Sequence, residues 1–142
     1  MSNIPHTDVA SEVTNYLVSL LSKNQEFISL TGGRLYQGVA EGAPSRPYCV
    51  ILNPSTEVDD EVCFLTFNVE FEFICYADDS AKARKVMDVV IGQFLSIAHK
   101  RLPSGADLTN TYTEGTRVSV DEVKSSWYGS VDFRALAMKG KS

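Results

Sequence analysis

A chain of 142 residues with 44% hydrophobic and 22% charged residues has the composition of one globular domain, able to bury about two-thirds of its unfolded surface. A formal net charge of −5 without any lysine/arginine run argues against general phosphate binding, which relies on Lys and Arg. No apolar run approaches the ~20 residues that span a bilayer, and Met1 to His6 lacks the basic and apolar segments of a secretory signal, so neither membrane insertion nor export is expected.

In chain order, residues 1–7 read as a loose arm. Asp8 is placed to cap a helix whose stripe is Val9, Val13, Tyr16, Leu17, Leu20 and Leu21, and Asn24 to Leu30 adds a short helical turn before Thr31-Gly32-Gly33 breaks it. Arg34 to Tyr36 is a candidate short strand and Gly38 to Pro47 a loop. Tyr48 to Leu52 is a compact apolar run ended by Asn53-Pro54, hence a buried strand. Ser55 to Val62, which contains Glu57, Asp59, Asp60 and Glu61, is too long for a two-residue turn and predicts an extended hairpin loop or flap.

The stretch Phe64 to Ala77 alternates. Leu65, Phe67, Val69, Phe71, Phe73 and Cys75 share one face; Thr66, Asn68, Glu70 and Glu72 share the other, which turns apolar at Ile74 and Tyr76. Asp78-Asp79-Ser80 then offers side-chain oxygens to a helix start. Ala83, Met87, Val90, Phe94 and Ile97 form the stripe of that helix, widened by Val86, Ile91, Leu95 and Ala98. Lys100 and Arg101 suit its C-terminal end, with Pro103 and Gly105 as the stop. Leu102 to Gly115 is polar and weakly patterned, and Thr116 to Val123 predicts a strand. Trp127 to Met138 predicts a long one, with Trp127, Val131, Phe133, Ala135 and Ala137 on its apolar face. The expected fold is α+β, a single domain over 1–142 with a mainly antiparallel (mixed) sheet packed against two helices, an extended hairpin loop, and flexible ends at 1–7 and 139–142.

Chemistry is sparse in this pattern. Cys49, Cys63 and Cys75 are spaced 14 and 12 apart with no Cys-x-x-Cys pair, and each sits in an apolar, strand-like setting. His6 lies in the arm and His99 near a helix end. Reduced, buried thiols in an intracellular protein are expected, with no metal site. Gly129-Ser130 lacks the glycine pattern of a nucleophile elbow, and Thr31-Gly32-Gly33-Arg34 lacks the spacing of a phosphate loop. Neither a catalytic residue nor a cofactor is predicted. Glu70 and Glu72 read as a solvated or subunit-facing sheet surface, paired across strands with Arg134 or Arg117. The Glu57/Asp59/Asp60/Glu61 cluster lacks a calcium-loop pattern and reads as solvated loop or partner contact. Trp127 and Tyr128 precede a strand, and Tyr36 and Tyr48 flank a loop; core packing and assembly both explain such aromatics.

Several of these segments together resemble a known family. They are Gly33-Arg34-Leu35-Tyr36-Gln37-Gly38-Val39, Ala43-Pro44 through Pro47-Tyr48-Cys49-Val50-Ile51, Phe67 to Ala77 with the following helix, and Ser126-Trp127-Tyr128-Gly129-Ser130-Val131-Asp132-Phe133-Arg134. In spacing and residue character over nearly the whole chain they resemble the tail-terminator and tail-completion (tail-to-head joining) proteins of long-tailed bacteriophages. The resemblance implies a homohexameric ring capping the tail tube protein, ending its polymerisation and offering a surface to head–neck connector proteins. DNA passes through such a ring unread. It also implies a virion location in the tail or neck, assembly in the host bacterial cytoplasm, and no catalytic residues. Here the 55–62 segment departs in its modest length and strong acidity; facing the lumen, its carboxylates would repel phosphates. The expected interface residues are Glu57, Asp59, Asp60, Glu61, Asn68, Glu70, Glu72 and Arg134. Another neck or head-completion ring protein is the alternative, and a small-ligand binding domain or enzyme the alternative of a different class.

Overall fold

The computed structural model describes residues 6–38, 40, 42, 44–97, 99–121 and 126–140. Its elements run α1 (His6–Ser22), α2 (Gln25–Thr31), β1 (Leu35–Gln37), β2 (Tyr48–Asp60), β3 (Phe64–Ala77), α3 (Ser80–Leu95), β4 (Lys100–Arg101), β5 (Asp107–Asp121) and β6 (Ser126–Gly140). The strands form one sheet in the order β1-β2-β3-β6-β5-β4; β1 and β2 are parallel and all other neighbours antiparallel. This is the α+β domain with a mixed, mainly antiparallel sheet that the alternation predicts, with α2 as a third helix. Residues 1–5 and 141–142 of the two ends expected to be flexible lie outside the described residues, as do Ala98 and residues 122–125; His6 opens α1 and Gly140 closes β6.

Local chemistry sets the helix limits. Asn24 accepts the Phe27 N–H at 2.9 Å to start α2, and Gly32 ends it with φ 67°, a conformation cheap for glycine alone, while its N–H bonds the Ile28 carbonyl. Asp79 caps α3 by accepting the Lys82 N–H at 2.8 Å. The helix does not reach Arg101 as its charge pattern predicts, but stops at Leu95. Thr111 donates its hydroxyl to the Phe94 carbonyl at 3.0 Å, satisfying a last-turn acceptor, and Arg101 leaves to pair with Asp107 at 2.8 Å across β4–β5. His99 accordingly lies beyond the helix, its Nε2 3.3 Å from Asp107.

Two strands are longer than expected, for one shared reason. β2 does not end at Asn53-Pro54: Leu52 is level with Glu72 and Ser55 with Glu70, so a bulge absorbs the intervening residues and the strand resumes to Asp60. Proline is tolerated there because β1 pairs only with Cys49–Ile51 and leaves that edge of β2 without a strand. The predicted loop at 55–62 is therefore paired strand up to Asp60, with a short turn closed by the Glu61 N–H on the Phe64 carbonyl. β5 starts at Asp107, not Thr116, and register shifts at Leu108/Asn110 and Thr113/Gly115 break its alternation.

The core lies between one face of the sheet and the three helices. Phe67, Val69, Phe71, Phe73 and Cys75 of β3 and Val131, Phe133, Ala135 and Ala137 of β6 are all buried against it. Val9, Val13, Leu17 and Leu21 of α1 and Val86, Val90 and Phe94 of α3 close it from above. The Phe94 and Phe133 rings lie 4.1 Å apart, and Phe27 meets Phe73 edge-on at 6.5 Å. Each such large side chain contributes about 1.5–3 kcal/mol by leaving water. At Gly129 the strand has no side chain because the Met87 thioether fills the space a Cβ would need. Gly129→Ala is expected to cost about 1–3 kcal/mol through overpacking. In urea denaturation a cycle with Met87→Ala should show a coupling of about 1 kcal/mol, because shortening Met87 vacates that space.

Candidate functional site

Because strand side chains alternate, burying Phe67, Val69, Phe71 and Phe73 forces their neighbours onto the face without helices. Register then gathers Glu57 and Asp59 of β2, Asn68, Glu70 and Glu72 of β3, and Asp132 and Arg134 of β6 on this face. Six of the eight predicted interface residues are thus brought together: Glu57, Asp59, Asn68, Glu70, Glu72 and Arg134. Asp60 is not among them, since it is level with Leu65 and alternates to the other side; Glu61 sits in the hairpin turn.

The charges are organised about Arg134. Its Nη2 lies 2.7 Å from Glu70 Oε1, the residue directly opposite, as the cross-strand pairing predicts. Glu114, which the β5 bulge sets beside Arg134, makes a second ion pair with it. Glu72 accepts the Ser130 hydroxyl at 3.0 Å and stands level with Asp132, so two carboxylates oppose each other. Arg117 is level with Ser130, a strand away from Glu72. Pairs this exposed are worth about 0.2–1 kcal/mol each, so their main product is a field: acids outnumber bases across the face.

At the other end of the face lies a feature that sequence reading misses. Tyr36, Tyr48, Tyr76 and Tyr128 form a row across β1, β2, β3 and β6, with successive ring centroids 6.2, 4.9 and 6.2 Å apart. Tyr36 and Tyr48 flank the loop between β1 and β2 as expected, and Tyr128 lies within β6, inside the strand expected from Trp127 on. The signal was available in the register alone: Tyr48, Tyr76 and Tyr128 become level once the two hairpins are aligned. Stacking contacts of this kind add about 0.5–1.5 kcal/mol per pair beyond area burial.

The thiols divide. Cys49 and Cys75 are buried and level with each other across β2–β3, whereas Cys63 is exposed at the hairpin turn, contrary to the expectation that all three are buried. Burial pushes the Cys49 thiol well above its ordinary range, reinforced by its hydrogen bond and electrostatic interaction with Cys75. Cys63 should therefore react with a thiol reagent at once, and Cys49 and Cys75 more than about a hundredfold slower, on unfolding. Stability follows the same shift. Cys49 stays neutral in the folded state, so its contribution is complete below about pH 8.5 and is lost as the pH rises above it, where the unfolded thiol ionises. A falling melting temperature between pH 8.5 and 10 that flattens in Cys49→Val would be the signature.

Among the described residues no group of three or more His, Cys, Asp or Glu is placed to hold a metal ion. No described helix is long and apolar enough to cross a membrane. A groove of about 230 Å³ beside β1 is lined by Ser11, Thr14, Gln37, Gly38, Ile51 and Leu52, a set of hydroxyl, amide and apolar groups without an ionisable side chain.

No known family and no curated protein matches the sequence. Among solved structures, a chain of the "Virion of native gene transfer agent (GTA) particle" is similar in fold, with a TM-score of 0.68 at 16% identity. The match covers 86% of this chain and 91% of that one, so the correspondence extends through nearly the whole domain and establishes a shared fold.

Proposed function

We propose that this chain is a structural protein of a phage-like particle, acting by assembly and not by catalysis. Copies form a closed ring, a hexamer, at the head-proximal end of the tail tube. The ring ends tube polymerisation and presents the surface to which head–neck connector proteins attach. The protein then resides in the tail or neck of the virion after assembly in the bacterial cytoplasm. The observation that carries this reading is the near full-length similarity in fold to a chain of a gene transfer agent virion.

The helix-free face supports it physically. In a ring whose sheets turn that face inward, Glu57, Asp59, Glu72 and Asp132 line the passage, and carboxylates there keep DNA phosphates from sticking.

The test is sedimentation velocity and negative-stain microscopy of the purified protein, alone and mixed with tail tubes. Six-fold rings, free or seated on tube ends, are expected. A protein that stays monomeric at high concentration and never co-sediments with tubes would overturn the proposal. Labelling that finds rings at the head vertex but never on tube ends would favour the neck or head-completion reading.

A further inference from the structure

Besides the short outer edges of β1 and β4, two longer stretches of strand edge have no strand beside them among the described residues. β1 covers only Cys49–Ile51 of β2, so the outer edge of β2 from Ser55 to Asp59 has no strand neighbour among the described residues. β4 covers only Asp107 and Leu108 of β5, and beyond the second bulge the edge from Gly115 to Ser119 is likewise open. Both stretches run without a register shift, and each is about 16 Å long. An open edge presents a row of backbone N–H and C=O groups ready to pair with another chain.

We infer that these two edges join copies of this chain, Ser55–Asp59 of one pairing with Gly115–Ser119 of the next. The inference rests on the ring assembly proposed above and names the surfaces that make it. Strand direction agrees with it. The β2–β3, β3–β6 and β6–β5 pairings are all antiparallel, so β5 runs opposite to β2. Under rotation about an axis roughly along the strands every copy keeps its strand directions, and the β5 of one copy meets the β2 of the next antiparallel, the more stable arrangement. The contact uses two different surfaces, so it is heterologous: it does not stop at a dimer, and it makes a ring when the rotation closes, as in the assembly proposed above.

Charge selects the same pairing. The β2 edge carries Glu57 and Asp59, while the facing β5 stretch carries Arg117 and no acid. β2 against β2 would oppose acids, and β5 against β5 would oppose arginines, both unfavourable across strands. Height fits as well. Gly115 is level with Leu52 and Ser119 with Tyr48 across the sheet, below the open part of β2. Joining the edges therefore staggers each copy against the next, as tilted strands require when a sheet closes on itself.

The test is site-directed cross-linking in a Cys63→Ser background. With Asp59→Cys and Gly115→Cys on the same chain, residues that stand opposite each other in the antiparallel contact, a short bis-maleimide should give a ladder of covalent multimers under assembly conditions, while each single-cysteine variant stays monomeric on denaturing gels. Arg117→Glu should weaken association about fivefold per joined interface, and Glu57→Lys on the same chain should restore it. Dimers from a single-cysteine variant would mean a two-fold contact and overturn the inference. Rings by microscopy without the β2–β5 ladder would overturn it and leave ring assembly standing. Absence of any association, with or without tail tubes, would overturn both.

Discussion

Phe73→Ala is expected to destabilise the domain by about 3–5 kcal/mol. Phe73 is 1% exposed at the centre of β3 and meets the Phe27 ring of α2 edge-on. It also stands level with Val131 of β6 and Ile51 of β2, so its ring is enclosed by two strands and a helix. Enclosure from three elements leaves little freedom to collapse into the void. A domain of this size has about 5–15 kcal/mol in total, so the loss should appear as a large drop in the urea midpoint with little change in slope. Tyr76→Phe on the opposite face of the same strand should stay within about 1 kcal/mol, since the ring and its stacking remain. A Phe73→Ala variant with an unchanged midpoint would mean that the core is not closed by β3 as described.

The second large effect concerns the passage through the proposed ring. Asn68→Lys, Glu72→Lys and Asp132→Lys together add five positive charges to the central strands and cancel the formal net charge of −5, while leaving both open edges intact. The unmodified assembly should show no measurable DNA retention. The triple variant should bind duplex DNA non-specifically with a dissociation constant of about 10⁻⁴ to 10⁻⁶ M, weakening with salt at a log–log slope of about −3. Filter binding across a salt series reads both quantities. Equal retention by both proteins would mean that this face does not meet DNA.

How much of this was legible in the sequence depends on whether alternation is interrupted. β3 runs unbroken from Phe64 to Ala77, and its bounds and its buried face were readable from period two; an arginine partner for Glu70 was readable too, but only the register decides for Arg134 over Arg117. Asp79 announced α3 because a capping carboxylate must precede the first free N–H groups. The end of α3 was not readable: the Thr111 hydroxyl that satisfies Phe94 comes from 17 residues further on. The full lengths of β2 and β5 are not legible because each bulge inserts a residue that breaks the alternation, and Asn53-Pro54 has the composition of a terminus. The acidic face was legible as a composition, Glu57, Asp59, Glu70 and Glu72, but its convergence depends on β2 continuing past that bulge. The tyrosine row needed the pairing of four strands before it existed at all. The open edges were invisible for a related reason, since an edge is defined by which neighbour is missing.

The three bulges carry an evolutionary consequence. Each one lets two residues occupy the place of one, and the strand on either side keeps both its partner and its facing. Removing Pro54 would straighten β2 while Leu52 still met Glu72 and Ser55 still met Glu70. Among chains that share this fold, single-residue gains and losses should therefore gather inside strands at Leu52/Ser55, Leu108/Asn110 and Thr113/Gly115 as well as in the turns. A comparison that forbids gaps within strands would misalign every residue beyond such a point. The ancestry of this domain is better traced by superposing backbones than by matching letters.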